Sequence, residues 1–146
     1  EVFAVLPFGN RTVIETITGA QLQAALTNGF QPSCDPTFTG GTGRSPQVSG
    51  LVVDYTCTAT TPSTPVVTAM YKAPDGPSGT LTPIGPADPI RIVTNDFMFT
   101  GGDGYTVLAG GTDVLQPGDA LLDIVVDYIG AHSPVAPAVE GRLVKS

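Results

Sequence analysis

The chain has 146 residues, of which 41% are hydrophobic and only 13% charged, and its formal net charge is −7. That length suits one domain with a core of its own. Its six basic residues (Arg11, Arg44, Lys72, Arg91, Arg142 and Lys145) are scattered, so no patch exists to neutralise nucleic-acid phosphates, and no apolar run approaches the roughly 18 residues that would insert into a membrane.

Eighteen glycines and fourteen prolines make the chain rich in turns, and Thr and Val stand where Lys and Glu dominate in cytosolic helical proteins. This is the composition of a secreted, strand-rich domain. No secretory leader precedes the folded pattern that opens at Glu1, as expected of a mature chain or a piece of a longer one. Cys34 and Cys57 are the two cysteines and His132 the single histidine, which argues against a zinc site. The even cysteine count and the extracellular composition favour a Cys34–Cys57 disulfide, closing a loop of roughly 20 residues and contributing about 3 kcal/mol in the chain-entropy model. The alternative is two free buried thiols.

From the N-terminus, Glu1–Leu6 reads as the end of a helix and Pro7–Asn10 as a turn. Arg11–Thr18 alternates as a strand does. Gly19–Leu26 is helical, with Thr18 as N-cap, Gln21 as its capping-box partner and Gly29 as the stop. Phe30–Ser45 is a Gly/Thr/Pro loop carrying Cys34. Gln47–Thr58 and Pro65–Lys72 are strands separated by a Pro/Thr turn. Ala73–Gly79 is a turn and Thr80–Ile84 a short extended piece.

Ile90–Leu108 is the stretch around which the rest is organised. Ile90–Thr94 has the β-branched composition of a buried strand. Asn95-Asp96 is a turn pair, Phe97 and Phe99 follow, and then Gly101-Gly102-Asp103-Gly104. Three glycines in four residues permit positive φ and close approach to a ligand, and Tyr105–Leu108 resumes a strand pattern. The plain structural reading is a glycine-rich hairpin with Phe97 and Phe99 in the core. Beyond it, Asp113–Leu115 is a short strand. Ala120–Ile129 is a helix whose Leu121, Leu122, Val125, Val126 and Ile129 form one apolar face, ended by Gly130. Ser133–Pro137 is a proline turn and Gly141–Lys145 a terminal strand. Strands outnumber helices without regular alternation, which indicates α+β.

No catalytic set is visible. There is no G-x-S-x-G, H-E-x-x-H or P-loop. His132 lies just past a predicted helix end, as a surface or capping residue, and Asp96 and Asp103 have no base beside them. The residues alone describe a binding loop without a reactive group.

Several segments carry a family resemblance. They are Ala4–Asn10 (AVLPFGN), Thr18–Leu22 (TGAQL) with Ala25-Leu26, Gln47–Leu51 (QVSGL) with Asp54-Tyr55, Thr94–Phe97 (TNDF), Gly101–Tyr105 (GGDGY), Ser133–Pro137 (SPVAP) and Glu140–Arg142 (EGR). In this order, over nearly the whole chain, they resemble the C-terminal domain of the 5′-nucleotidase/UDP-sugar hydrolase family. Phe30–Pro46 and Thr58–Thr64 match only loosely.

The resemblance implies a mixed, mostly antiparallel sheet with a few helices, residues 1–146 forming a substrate-recognition domain with its N-terminal edge cut. It implies a nucleotide or nucleoside as ligand, its base clamped between Phe8 and Phe97, with Asp103 at the ribose. Gly101 and Gly102 let the loop close in, and Asn10 and Asn95 contact the base or hold the loop. Phe99, Tyr55 and Tyr105 are assigned to the core. No cofactor is expected on this chain. Two divalent metals are expected on an N-terminal metallophosphoesterase domain outside it, which is the implied partner and carries out the hydrolysis. The family's G-G-x-R segment upstream of L-P-F-G is absent here. The expected location is secreted, periplasmic or at the cell surface. The alternatives are a secreted β-rich binding or adhesion module that keeps the fold without nucleotides, and a family hydrolase acting on a nucleoside diphosphate sugar or a 2′,3′-cyclic nucleotide.

Overall fold

The computed structural model describes residues 2–39, 42–74 and 79–146. Strand β1 (Thr12–Thr18) is the hub of a three-stranded antiparallel sheet, flanked by β5 (Pro89–Asn95) and β6 (Thr112–Leu115). A second sheet orders β4 (Thr82–Pro83), β3 (Pro65–Lys72), β2 (Leu51–Cys57) and β7 (Leu143–Lys145). Only its β2–β7 pair is parallel. Helices α1 (Val2–Val5), α2 (Gly19–Gly29), α3 (Gln31–Cys34), α4 (Asp96–Phe99) and α5 (Leu121–His132) complete an α+β architecture, as the element order predicts.

The core lies where α2 packs against β1 and β3, one strand from each sheet. Alternation along β2 buries Leu51, Val53 and Tyr55, the period-two signature of a strand with one covered face. In β3 the buried set runs Pro65, Val67, Met70. The register jumps there: Asp54 pairs with Ala69 and Tyr55 with Val67, so Thr68 is an extra, bulged residue that shifts every later side chain by one. Phe30 and Tyr55 stack with ring centroids 4.0 Å apart and planes 5° from parallel.

Helix α2 starts as predicted. Thr18 Oγ1 accepts from the Gln21 amide and Gln21 Oε1 accepts from the Thr18 amide, a complete capping box that satisfies two otherwise orphaned donors. Its end differs from expectation. Gly29 is a helical residue rather than the stop, and Phe30 forms the cap. A Cβ at Gly29 would collide with Tyr105 Oη and the Pro46 ring, so the glycine serves close packing.

Other predicted boundaries also move. Phe30–Ser45 is not all loop: Phe30 is buried, α3 forms directly after it, and a 3₁₀ turn spans Thr42–Arg44. The β2 strand begins at Leu51, because Gly50 has φ +69° and breaks the extended run. The predicted Ala73–Gly79 turn falls largely on residues outside those described. Tyr105–Leu108 is not a strand, so there is no glycine-rich hairpin. Thr106–Gly110 is a 3₁₀ turn that buries Tyr105 and Leu108, three residues apart, the spacing at which such a turn aligns side chains.

The expected disulfide is present: Cys34 at the end of α3 joins Cys57 at the end of β2. Helix α5 continues through Gly130 to His132, since an exposed glycine costs a helix only about 1 kcal/mol. It ends where Ser133 turns extended before Pro134. Its apolar face points as predicted at Leu121, Leu122, Val125 and Ile129, which are half-buried. Val126 is exposed and no residue of α5 is fully buried. No helix is long and apolar enough to cross a membrane among the described residues.

Candidate functional site

The site is built at the end of the sheet where β1 begins and β5 ends. The pairing register runs to Thr12 opposite Asn95. It is extended by a reciprocal bond: the Asp96 amide donates to the Arg11 carbonyl at 2.9 Å and the Arg11 amide donates to Asp96 Oδ1 at 3.2 Å. The Leu121 amide anchors the carbonyl of Asn10 at 3.0 Å. This clasp sets Arg11, which follows the Pro7–Asn10 segment, beside the start of the Asp96–Phe99 turn, although the two are far apart in sequence.

Phe8 is 72% exposed and Phe97 47% exposed. Aromatic stacking joins Phe30 to Tyr55 and Tyr128 to His132, and neither Phe8 nor Phe97 takes part in those pairs. Phe97 sits on the one-turn helix α4, whose N-cap is Asn95. Asn95 Oδ1 accepts from the Met98 amide at 2.7 Å, which gives Asn95 a loop-holding role. Met98 turns inward against the core. Phe99 is only half-buried and outside the core cluster, contrary to its assignment there. On so short a helix Met98, not Phe99, faces the protein.

The glycine segment folds back beneath Phe97. A Cβ at Gly102 would lie 2.5 Å from Cε1 and Cζ of the Phe97 ring, so only glycine admits the ring there. Gly101, Asp103 and Gly104 all have positive φ, at 93°, 52° and 80°. For Asp103 this is the left-handed region that non-glycine residues seldom occupy. Asp103 is exposed to solvent. The structure thus gathers Phe97, Gly101, Gly102 and Asp103 into one turn. Phe8 and Asn10 stand on the adjoining segment, and Asn10 is half-buried.

The supports of this turn were not apparent from local sequence. Asn28, in the last turn of α2, donates from Nδ2 to the Asp103 carbonyl at 3.0 Å. Arg44 Nη1 donates to Asn28 Oδ1 at 3.1 Å, and the Tyr105 hydroxyl donates to the Arg44 carbonyl at 2.6 Å. Burial pushes the Tyr105 phenol up, with Arg44 opposing and Asp103 adding to the shift, so it remains a neutral donor. Arg44 lies in the loosely matched loop, where no motif marks it.

A second unheralded residue is Glu15 in β1. It is 0% exposed, and among the described residues neither carboxylate oxygen has a hydrogen-bond partner. Desolvation raises its pKa. His132 is a surface residue, bonded through Nδ1 to the Tyr128 carbonyl at 2.8 Å. Among the described residues no group of three or more His, Cys, Asp or Glu could hold a metal ion.

The family model described as "5′-nucleotidase, C-terminal domain" matches residues 1–110. The chain belongs to that family. Among curated proteins it is 33% identical over 146 residues to a snake venom 5′-nucleotidase of Naja atra, covering 100% of this chain and 26% of that protein. It is 32% identical over 144 residues to the "Trifunctional nucleotide phosphoesterase protein YfkN" of Bacillus subtilis, covering 98% of this chain and 9% of that protein. Among solved structures, the 5′-nucleotidase precursor of Thermus thermophilus superposes with a TM-score of 0.81 at 30% identity, over 99% of this chain and 27% of that one. The fold is shared with a Haemophilus influenzae NAD nucleotidase at a TM-score of 0.74 and 16% identity, over 99% of this chain and 26% of that one. This 5′-nucleotidase C-terminal domain therefore spans about a quarter or less of the length of these relatives.

Proposed function

We propose that this domain recognises the nucleoside part of a nucleotide substrate for a secreted or cell-surface 5′-nucleotidase-type phosphohydrolase. Phe8 and Phe97 hold the base, Asp103 accepts hydrogen bonds from the ribose hydroxyls, and Asn10 lies beside the base. Gly101 keeps the turn free of a side chain so that the ligand comes close, and Gly102 leaves the space in which the Phe97 ring lies. Hydrolysis belongs, in this reading, to an N-terminal metallophosphoesterase domain with two divalent metals, outside this chain. The names of the relatives, 5′-nucleotidases and a nucleotide phosphoesterase, support a nucleotide as the substrate class.

The observation that carries the reading is the Arg11–Asp96 clasp. It joins the segment that carries the exposed Phe8 to the turn that carries the exposed Phe97, whose ring lies against Gly102 beside the left-handed Asp103, and this supports the reading. Exposed aromatics are unfavourable for stability alone, whereas a base stacked on an aromatic ring gains about 1–3 kcal/mol, largely regardless of its identity. Stacking with one or two hydrogen bonds amounts to about 4 kcal/mol, a dissociation constant of roughly 1 mM. Titration of the ¹⁵N-labelled chain with adenosine tests it. Millimolar, saturable shifts centred on Phe8, Phe97 and Asp103 are expected, and Phe97→Ala abolishes them. Shifts elsewhere, or none, would favour the module that keeps the fold without nucleotides.

A further inference from the structure

Asp103 holds a left-handed backbone conformation, uncommon outside glycine although Asp tolerates it better than most residues, and the turn it occupies is short. Within the turn, the Gly104 amide donates to the Gly101 carbonyl at 3.2 Å and the Tyr105 amide to the Gly102 carbonyl at 3.1 Å. Neither bond involves Asp103. Its carbonyl is held by Asn28 Nδ2.

An amide can face either way, with oxygen and nitrogen exchanged. What decides the direction here is Arg44. A guanidinium only donates, so the Arg44 Nη1 contact requires oxygen on its side and turns the Asn28 NH₂ toward Asp103. Arg44 is itself fixed at two points. Its carbonyl accepts from Tyr105, and its guanidinium carbon lies 4.7 Å from the centre of the Phe38 ring, a cation–π contact. Arg44 Nε is buried without a partner among the described residues, and the contacts that place the side chain are those to Asn28 and Phe38. Tyr105 follows Gly104 directly, so the path closes: Tyr105 to Arg44, Arg44 to Asn28, Asn28 to Asp103, and along the backbone to Tyr105. Gly104 completes it, since a Cβ there would lie 2.8 Å from Asn28 Oδ1.

We propose that Arg44, acting through Asn28, is a positioning residue that locks the Asp103 turn in its left-handed conformation and so sets where the Asp103 carboxylate meets a ligand. The ligand part rests on the nucleoside reading above, whereas the conformational part does not. The sequence spacing hides the arrangement, because Asn28, Arg44 and Asp103 come from a helix end, a 3₁₀ turn and a glycine turn.

The test uses the ¹⁵N-labelled 146-residue chain with two readouts, the amide shifts and hydrogen exchange of residues 102–105 and the affinity for adenosine. Arg44→Met keeps the stem over Phe38 and removes the donors. Asn28→Asp keeps an acceptor for Arg44 and removes the donor to Asp103, and it carries the test if Arg44→Met does not fold. In both variants the Asp103 and Gly104 amides are expected to move and exchange faster. Adenosine affinity is expected to fall about tenfold, the equivalent of one hydrogen bond of a charge-supported network. Arg44→Lys, which can still donate to Asn28, restores both readouts in part, and the Arg44→Met/Asn28→Asp double variant loses no more than either single one. Unmoved amides in both single variants, or affinity losses that add in the double variant, would overturn the proposal. If the wild-type chain does not bind adenosine, the nucleoside reading falls, and the amide readout alone decides whether Arg44 locks the turn.

Discussion

Phe30 and Phe97 are the same side chain in opposite circumstances. Phe30 is 2% exposed, stacked on Tyr55, and followed at once by the helix that carries the Cys34–Cys57 bridge. Phe97 is 47% exposed on a one-turn helix at the sheet rim, with its inner edge against Gly102. Full burial of a phenyl ring stabilises a fold by about 1.5–3 kcal/mol over exposure, and Phe97 obtains only part of that. The contrast separates a region built for stability from one whose apolar surface is left exposed.

The largest effect belongs to the buried member. Phe30→Ala is expected to cost about 3–5 kcal/mol, read as a lower urea midpoint. A loss below about 1 kcal/mol would break the contrast. Next comes the bridge beside it. Cys34 and Cys57 are 23 residues apart, so their joint replacement by alanine is expected to lower stability by about 3 kcal/mol, while the reduction-dependent mass shift of the unmodified protein disappears.

A smaller effect concerns Glu15, whose neighbours are apolar Ile92 across the ladder and the Gly111 backbone above. The unfolded glutamate loses its proton near 4.5, and the folded one holds it to a higher pH. Between those values the folded state binds more protons, so stability falls as pH rises. Glu15→Gln is expected to flatten that slope in urea titrations run upward from pH 4.5. An unchanged slope would mean that the carboxyl is charged in the folded state. The smallest stability effect belongs to the rim: Phe97→Ala is expected to change stability by about 1 kcal/mol or less while removing adenosine binding. Unfolding of that variant would place Phe97 in the core and end the clamp reading. Finally, the isolated chain with magnesium, manganese or zinc is expected to release no phosphate from AMP in a colorimetric assay.

Much of this molecule was determined by the sequence itself. The alternation of Arg11–Thr18, the Thr18/Gln21 capping box and the Cys34–Cys57 pairing follow from local periodicity, capping chemistry and cysteine usage, which act over a few residues or leave one choice. The L-P-F-G-N and G-G-D-G-Y motifs likewise marked the candidate site. Other features required the folded chain. Tyr105–Leu108 has strand-like residues, yet burying Tyr105 and Leu108 together made a 3₁₀ turn. Gly29 and Gly130 have the chemistry of helix stops, yet close packing in one case and the position of Pro134 in the other decided where the helices end. Asn28 and Arg44 support Asp103 only because α2, the Thr42–Arg44 turn and the glycine turn converge in space. Hydrogen bonds between residues 61 or 75 positions apart leave no periodic trace in a single sequence, and neither does the burial of Glu15, which depends on the segment that closes over β1.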